Sequence, residues 1–382
     1  MPEDKKEAEE THAYTPGLKI KNAMTVEKER RLPIAGNVLV KLNDTVVDEE
    51  IVAQTLVPGD PEILSAAMKL GTTADIVPEL MVKKVGDKVT KGETIAKYSF
   101  LFGLFKRSLE SPISGTIETI SKTTGQIILR KEDIPVNVDA YIPGKVTKVN
   151  ENEGVVISTN GAFMQGIFGV GGERRGTLRL VIDEADGTVT AADIKPDDKD
   201  KILVGGGLLS LDALKKAVEV GVAGIVVGGV DSGDLMEFMG TDVGVAITGE
   251  EDYGLTLIVT EGFGKMAMHM KTHSIFKEHD GKRASVNGAT QIRAGVIRPE
   301  VVIPHSEEDT SEGEDESQLG MIPGSPLRII REPYFGKICT LVSLPVELQK
   351  VDSGSKVRVL EAKLDDGTLV TVPRANVEMI EE

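Results

Sequence analysis

Apolar and polar residues alternate with period two over much of this chain, the pattern of short half-buried strands. In VKKVGDKVTKGETIAKY (82–98) the apolar positions Val85, Val89 and Ile95 suit such strands, and Gly86-Asp87 and Gly92-Glu93 supply turns. The stretch VLVKLNDTVVDEEIVAQT (38–55) repeats the pattern after a shift of 43 residues. Asp44 then falls on Asp87, Val46 on Val89, Glu50 on Glu93 and Ala53 on Ala96. Proline-to-glycine corners recur at Pro33–Gly36, Pro112–Gly115 and Pro143–Gly144, with a β-branched residue (Val38, Ile117, Val146) two positions beyond each. Proline presets φ and glycine accepts the left-handed region, so a repeated corner between strands is expected. Hairpins follow at 114–130 and 145–159, and residues 30–180 read as hairpins wrapped into one β domain.

The pattern changes after residue 195. KILVGGG (201–207) is a buried strand running into glycines, LLSLDALKKAVEVG (208–221) a helix, and VAGIVVGGV (222–230) a second apolar strand. Ser210 is the expected N-cap and Gly221 the C-terminal stop, with Leu211, Leu214, Ala217 and Val218 on the inward face. Strand–helix–strand units of this length join parallel strands by a right-handed crossover. The alternation continues through a helix at 234–239, strands at 243–248 and 255–263 and a helix at 265–278, giving a small α/β domain over 195–304. Residues 321–382 return to β alternation, with an Asp366-Gly367 hairpin turn.

Seven of the ten residues in 307–316 are acidic, so 305–320 reads as a solvated acidic linker, and 1–29 as a flexible tail. The formal charge is −17, and without that linker the chain remains acidic, which argues against DNA as a partner. A single cysteine, Cys339, excludes an intramolecular disulfide or a CxxC metal site. No apolar run reaches the ~20 residues of a membrane span and the N-terminus shows no signal-peptide core, so a cytoplasmic location is expected.

Two resemblances add to this reading. The GD-x-V-x-x-G segment at 86–92, followed by SPISGTI (111–117), resembles the two halves of a biotinyl/lipoyl-type domain. It implies a barrel-sandwich hybrid, similar to the barrel of the electron-transport complex C subunit, whose Fe–S cysteines are absent here. Such domains carry a modified lysine at the hairpin tip. The only lysine in the tip region, Lys106, lacks the flanking Met or Ala, so no covalent cofactor is expected. GSPLRIIREPYFGKICTLV (324–342), with Arg328, Gly336 and Lys337 in place, resembles the KOW domains of ribosomal and NusG-type proteins. That implies an SH3-like barrel and association with transcription or translation machinery.

Candidate chemistry falls in five places. The tip between the half-motifs gathers Tyr98, Phe100, Leu101, Phe102, Leu104 and Phe105, either a docking patch or core beneath a neighbouring domain. Gly205, Gly206 and Gly207, with Gly228 and Gly229 at the next strand end, form a crevice for a phosphorylated ligand, or serve only tight turning. His269 and His273 stand i, i+4 in the expected last helix of the α/β domain, a spacing that suits a metal as well as an ordinary surface. Arg293 and Arg298 would bind an anion or pair with Glu261 or Glu300. In the C-terminal domain Arg328, Arg331, Tyr334, Phe335 and Lys337 are candidates for weak RNA or protein contact, although residues 320–382 net −1. No nucleophile constellation is recognisable.

The chain therefore reads as a multidomain β and α/β protein without cofactor or resident metal. The favoured function is a non-enzymatic scaffold held to a protein or ribonucleoprotein partner by its KOW domain. The alternative is a phosphorylated-ligand binding protein or enzyme built on Gly205–Gly207, Gly228, Gly229, Glu261, Arg293 and Arg298.

Overall fold

The computed structural model describes residues 18–100, 105–240, 251–290, 297–305, 321, 323–331, 333–345, 348–350, 356–364 and 366–381. The architecture is β-rich and built around one large mixed sheet. Its longest strand, Leu18–Arg31, takes up residues 18–29 of the segment expected as a flexible tail, and residues 1–17 lie outside the described residues. Leu18, Ile20 and Val26 are buried, and from Val26 onward exposed Glu27, Glu29 and Arg31 alternate with partly covered Lys28 and Arg30, which is why this charged stretch folds as a strand. It pairs antiparallel with Gly154–Gln165, from Ile20 opposite Met164 to Arg31 opposite Gly154.

From Gly154–Gln165 the sheet passes through Glu300–Pro304 and Arg283–Asn287 to Glu173–Leu180. Glu173–Leu180, Lys201–Val204, Gly224–Val230 and Thr256–Phe263 then run parallel, and the antiparallel Phe168–Val170 ends the row. The helix Leu211–Val220 starts at Ser210, whose hydroxyl accepts the Ala213 N–H, and stops at Gly221 with φ +83°. It buries Ala213, Leu214 and Ala217; Leu211 and Val218, expected inward, are only partly covered. With Ser232–Met239 it covers one face of the parallel strands, over Leu203, Ile225, Val227, Leu257 and Val259. Met270–Glu278 covers the other, over Ile202, Val204, Val226 and Ile258. Covered on both faces, Gly224–Val230 is buried at every position. The expected strand at 243–248 lies outside the described residues.

The 43-residue repeat is reproduced in the hydrogen bonds of its turns. The Lys41 N–H donates to the Asp44 carboxylate at 2.8 Å and Lys84 N–H to Asp87 at 2.7 Å. Val47 N–H donates to Glu50, and Thr90 N–H to Glu93. The strand Ile51–Val57 pairs with Ile134–Asp139, with a bulge between Val138 and Asp139. Thr94–Phe100 pairs with Phe105–Glu110, with its bulge at the equivalent step, Thr94 to Ala96. A second correspondence, offset by 29 residues, matches Gly144 opposite Val46 with Gly115 opposite Val89. The distal unit (about 61–131) is thus inserted into the hairpin tip of a proximal unit made of 37–57 and 134–150. Each has its own core: Val46, Val52, Ile142 and Val146 in the proximal unit, Val89, Ile95, Ile117 and Ile127 in the distal one.

At the C-terminus Pro326–Ile329, Ile338–Ser343, Val359–Leu364, Leu369–Pro373 and Val377–Glu381 form an antiparallel unit around Leu327, Cys339, Leu341, Leu360 and Val372. It is joined to the body by parallel pairing of Leu18 with Ile380. Two ion pairs, Arg298–Glu378 and Arg328–Glu261, bridge the same junction.

Candidate functional site

The most unusual local structure lies at Tyr141, where the proximal unit returns to the body. Ala140 N–H donates to Glu50 O and Tyr141 N–H to Asp48 O, while Ile142 N–H reaches back to Ala140 O at 2.7 Å. That last bond closes a three-residue γ-turn about Tyr141, whose φ is +65°. Positive φ at a bulky residue is strained, costing on the order of 1–3 kcal/mol. The turn is held by Ser285, whose hydroxyl donates to Tyr141 O at 2.6 Å. The ring is fully buried and lies beneath the Arg30 guanidinium at 5.3 Å; its hydroxyl has no hydrogen-bond partner among the described residues.

Six charges surround this ring. Arg30 grips Glu173 through both terminal nitrogens at 2.6 and 2.7 Å and donates from Nε to Asp139 O at 2.8 Å. Arg175 pairs with the Asp139 carboxylate, and Lys28 with Glu300 at 2.5 Å. Three cations thus balance three carboxylates. Burial works against the Arg30 charge, but Glu173 and Asp139 outweigh it and hold its pKa above the ordinary arginine value. Burial, reinforced by Glu300 and Glu173, pushes the Tyr141 phenol well above its ordinary range despite Arg30 and Arg175. The group therefore stays protonated and is no base or nucleophile at neutral pH. Glu29, Arg30, Arg31, Asn137, Asp139, Glu173 and Arg175 line a polar recess of about 450 Å³ beside it. The cluster clamps the proximal unit to the first strand and the α/β strands.

The residues singled out from sequence are distributed over four separate places. In the glycine crevice the chain's own backbone fills the space. A Cβ on Gly229 would stand 2.0 Å from Gly264 O, on Gly228 2.2 Å from Met266 O, and on Gly206 2.5 Å from Glu184 O. Gly205, Gly207 and Gly228 donate their N–H groups to Val226, Gly187 and Gly206 carbonyls. Glu261 and Arg328 form a buried pair at the junction with the C-terminal unit. The Glu261 carboxylate also accepts His269 N–H, and Arg328 Nη1 donates to Thr260 O at 3.1 Å. Arg298 pairs with Glu378, and Arg293 lies outside the described residues.

The helix expected over 265–278 begins only at Met270, so His269 is its N-cap and His273 lies in its first turn. Both rings have a buried nitrogen without a hydrogen-bond partner among the described residues. Among those residues no group of three or more His, Cys, Asp or Glu is placed to hold a metal. In the C-terminal unit Arg331, Phe335 and Lys337 are exposed and Tyr334 is half-buried against the core. Lys106 is exposed on the strand Phe105–Glu110, opposite Ser99. Phe100 and Phe105 end the two strands of the distal hairpin, and Phe102 lies outside the described residues.

Sequence reasoning did not find Tyr141. The distal repeat gives no signal for it, because Pro112 at the equivalent position has a ring that forbids the +65° φ of Tyr141. Among the described residues no helix is long and apolar enough to cross a membrane. Neither a protein-family model nor a curated protein matches this chain.

Proposed function

We propose that the protein is a non-enzymatic scaffold that engages a ribonucleoprotein of the transcription or translation machinery through its C-terminal unit. In this reading the two nested repeat units are barrel-sandwich hybrids and the C-terminal unit is an SH3-like KOW barrel. One observation carries the proposal. Arg328 is taken up by its buried pair with Glu261, whereas Arg331, Phe335 and Lys337 remain exposed on the single loop between Pro326–Ile329 and Ile338–Ser343. Two cations flanking an aromatic ring suit contact with phosphate and base together. The ion cage at Tyr141 supports a positioning role for the body, because its pairs Lys28–Glu300, Arg30–Glu173 and Arg175–Asp139 tie separate strands together.

Affinity purification of the full chain and of an R331E/F335A/K337E variant tests this. Ribosomal or polymerase components should co-purify with the first, and nuclease treatment should reduce them. Equal recovery by the variant would sink the proposal, as would recovery of neither machinery.

A further inference from the structure

The nested repeat allows one face to be compared in two settings. In the proximal unit the turn Asp48-Glu49 docks on the body: Arg283 donates from Nε to Asp48 at 2.6 Å and from Nη2 to Glu49 at 2.6 Å. Beside it, Tyr141 and Ile142 are fully buried against the same body. The 43- and 29-residue offsets carry these four positions onto Lys91, Gly92, Pro112 and Ile113 of the distal unit. There the turn keeps one bond of its counterpart, Ser111 N–H to Glu93 O as Ala140 N–H to Glu50 O, and adds Lys91 N–H to Ser114 Oγ at 3.0 Å and Gly92 N–H to Ser111 O at 2.7 Å. Yet Lys91 and Gly92 are exposed, and Pro112 and Ile113 are only half-covered.

Charge is inverted along with exposure. Lys91 stands where Asp48 stands, and the exposed Lys84 and Lys88 flank it on the same turn-and-strand segment. Residues 61–131 hold eleven lysines and arginines against seven aspartates and glutamates, a net of +4, which leaves −21 on the rest of the chain. A basic unit carried on an acidic body marks a surface selected for an anionic partner.

We infer that the distal face centred on Lys91, with Lys84, Lys88, Pro112 and Ile113, docks an acidic protein surface. It would do so in the geometry by which the proximal face docks Arg283, with the charges exchanged. A protein is favoured over nucleic acid because the template contact is to a strand of protein: one charged side chain, one serine hydroxyl and apolar cover.

Fluorescence anisotropy of the full chain with a labelled decaglutamate peptide provides the test, with a decauridylate RNA as the competing polyanion. Binding should weaken with salt and fall at least tenfold in K84E/K88E/K91E. Carbodiimide cross-linking should join the peptide to those three lysines. Absence of peptide binding, tighter binding of the RNA, an unaffected variant, or cross-links confined to other lysines would each overturn the inference.

Discussion

Removing one partner of the buried Glu261–Arg328 pair should loosen the C-terminal unit, and removing both should not. Glu261 sits on Thr256–Phe263 and Arg328 on Pro326–Ile329, with side chains 5% and 3% exposed, so neither charge is solvated when alone. Among the described residues, the carboxylate in Arg328→Met keeps only the His269 N–H, and the guanidinium in Glu261→Leu keeps only Thr260 O. Leaving a buried charge uncompensated costs about 3–5 kcal/mol, whereas well-packed apolar replacement of both partners is about neutral. The double variant should therefore lie within about 1 kcal/mol of the parent, with a non-additivity of several kcal/mol. Amide exchange at Leu327 and Ile329 reads this locally, which matters in a chain of several units where unfolding need not be two-state. If the double variant exchanges as fast as the worse single one, the pair acts by packing and the electrostatic reasoning fails.

Tyr141→Phe removes a buried hydroxyl that has no partner among the described residues, so it should stabilise the fold by about 1 kcal/mol in urea titration. A loss of stability would reveal a bound water or ligand acceptor there. Because the folded phenol lies above its unfolded value, the stabilisation from this group is complete below pH ~10 and is lost as pH rises through the folded pKa. Ultraviolet titration should show one of the five tyrosines silent until the alkaline unfolding transition. Gly229→Ala puts a methyl group 2.0 Å from Gly264 O and should cost about 3 kcal/mol, read as a shift in denaturation midpoint. Phosphate and nucleotides should leave the parent midpoint unmoved, since the N–H groups of Gly205, Gly207 and Gly228 already have carbonyl partners.

Local rules carried the sequence reading a long way where neighbours along the chain decide the outcome. The turn at Gly86-Asp87, its repeat at Asn43-Asp44 and the cap and stop of Leu211–Val220 all depend on residues within a few positions of one another. Leu18–Arg31 was obscured because its seven charged residues outweigh three buried apolar residues in any composition count. It becomes a strand only when Gly154–Gln165, more than a hundred residues away, supplies the other half of the ladder.

The same division separates the candidate sites. The glycine runs and basic residues were visible as residue types, but their partners were not. Arg328 is committed to Glu261 by a contact spanning 67 positions, and the crevice at Gly205–Gly229 is filled by loops that the primary order does not place there. Tyr141 shows the limit most clearly: its strain comes from a local γ-turn, while Arg30, Arg175, Ser285 and Glu300 come from other parts of the sheet. The sequence by itself determined the repeating β units, their turns and the segregation of charge, because hydrogen bonding and hydrophobic periodicity act at short range. Only the tertiary structure decided which copy of the repeat is clamped to the body and which faces solvent, because that depends on long-range pairing of charges.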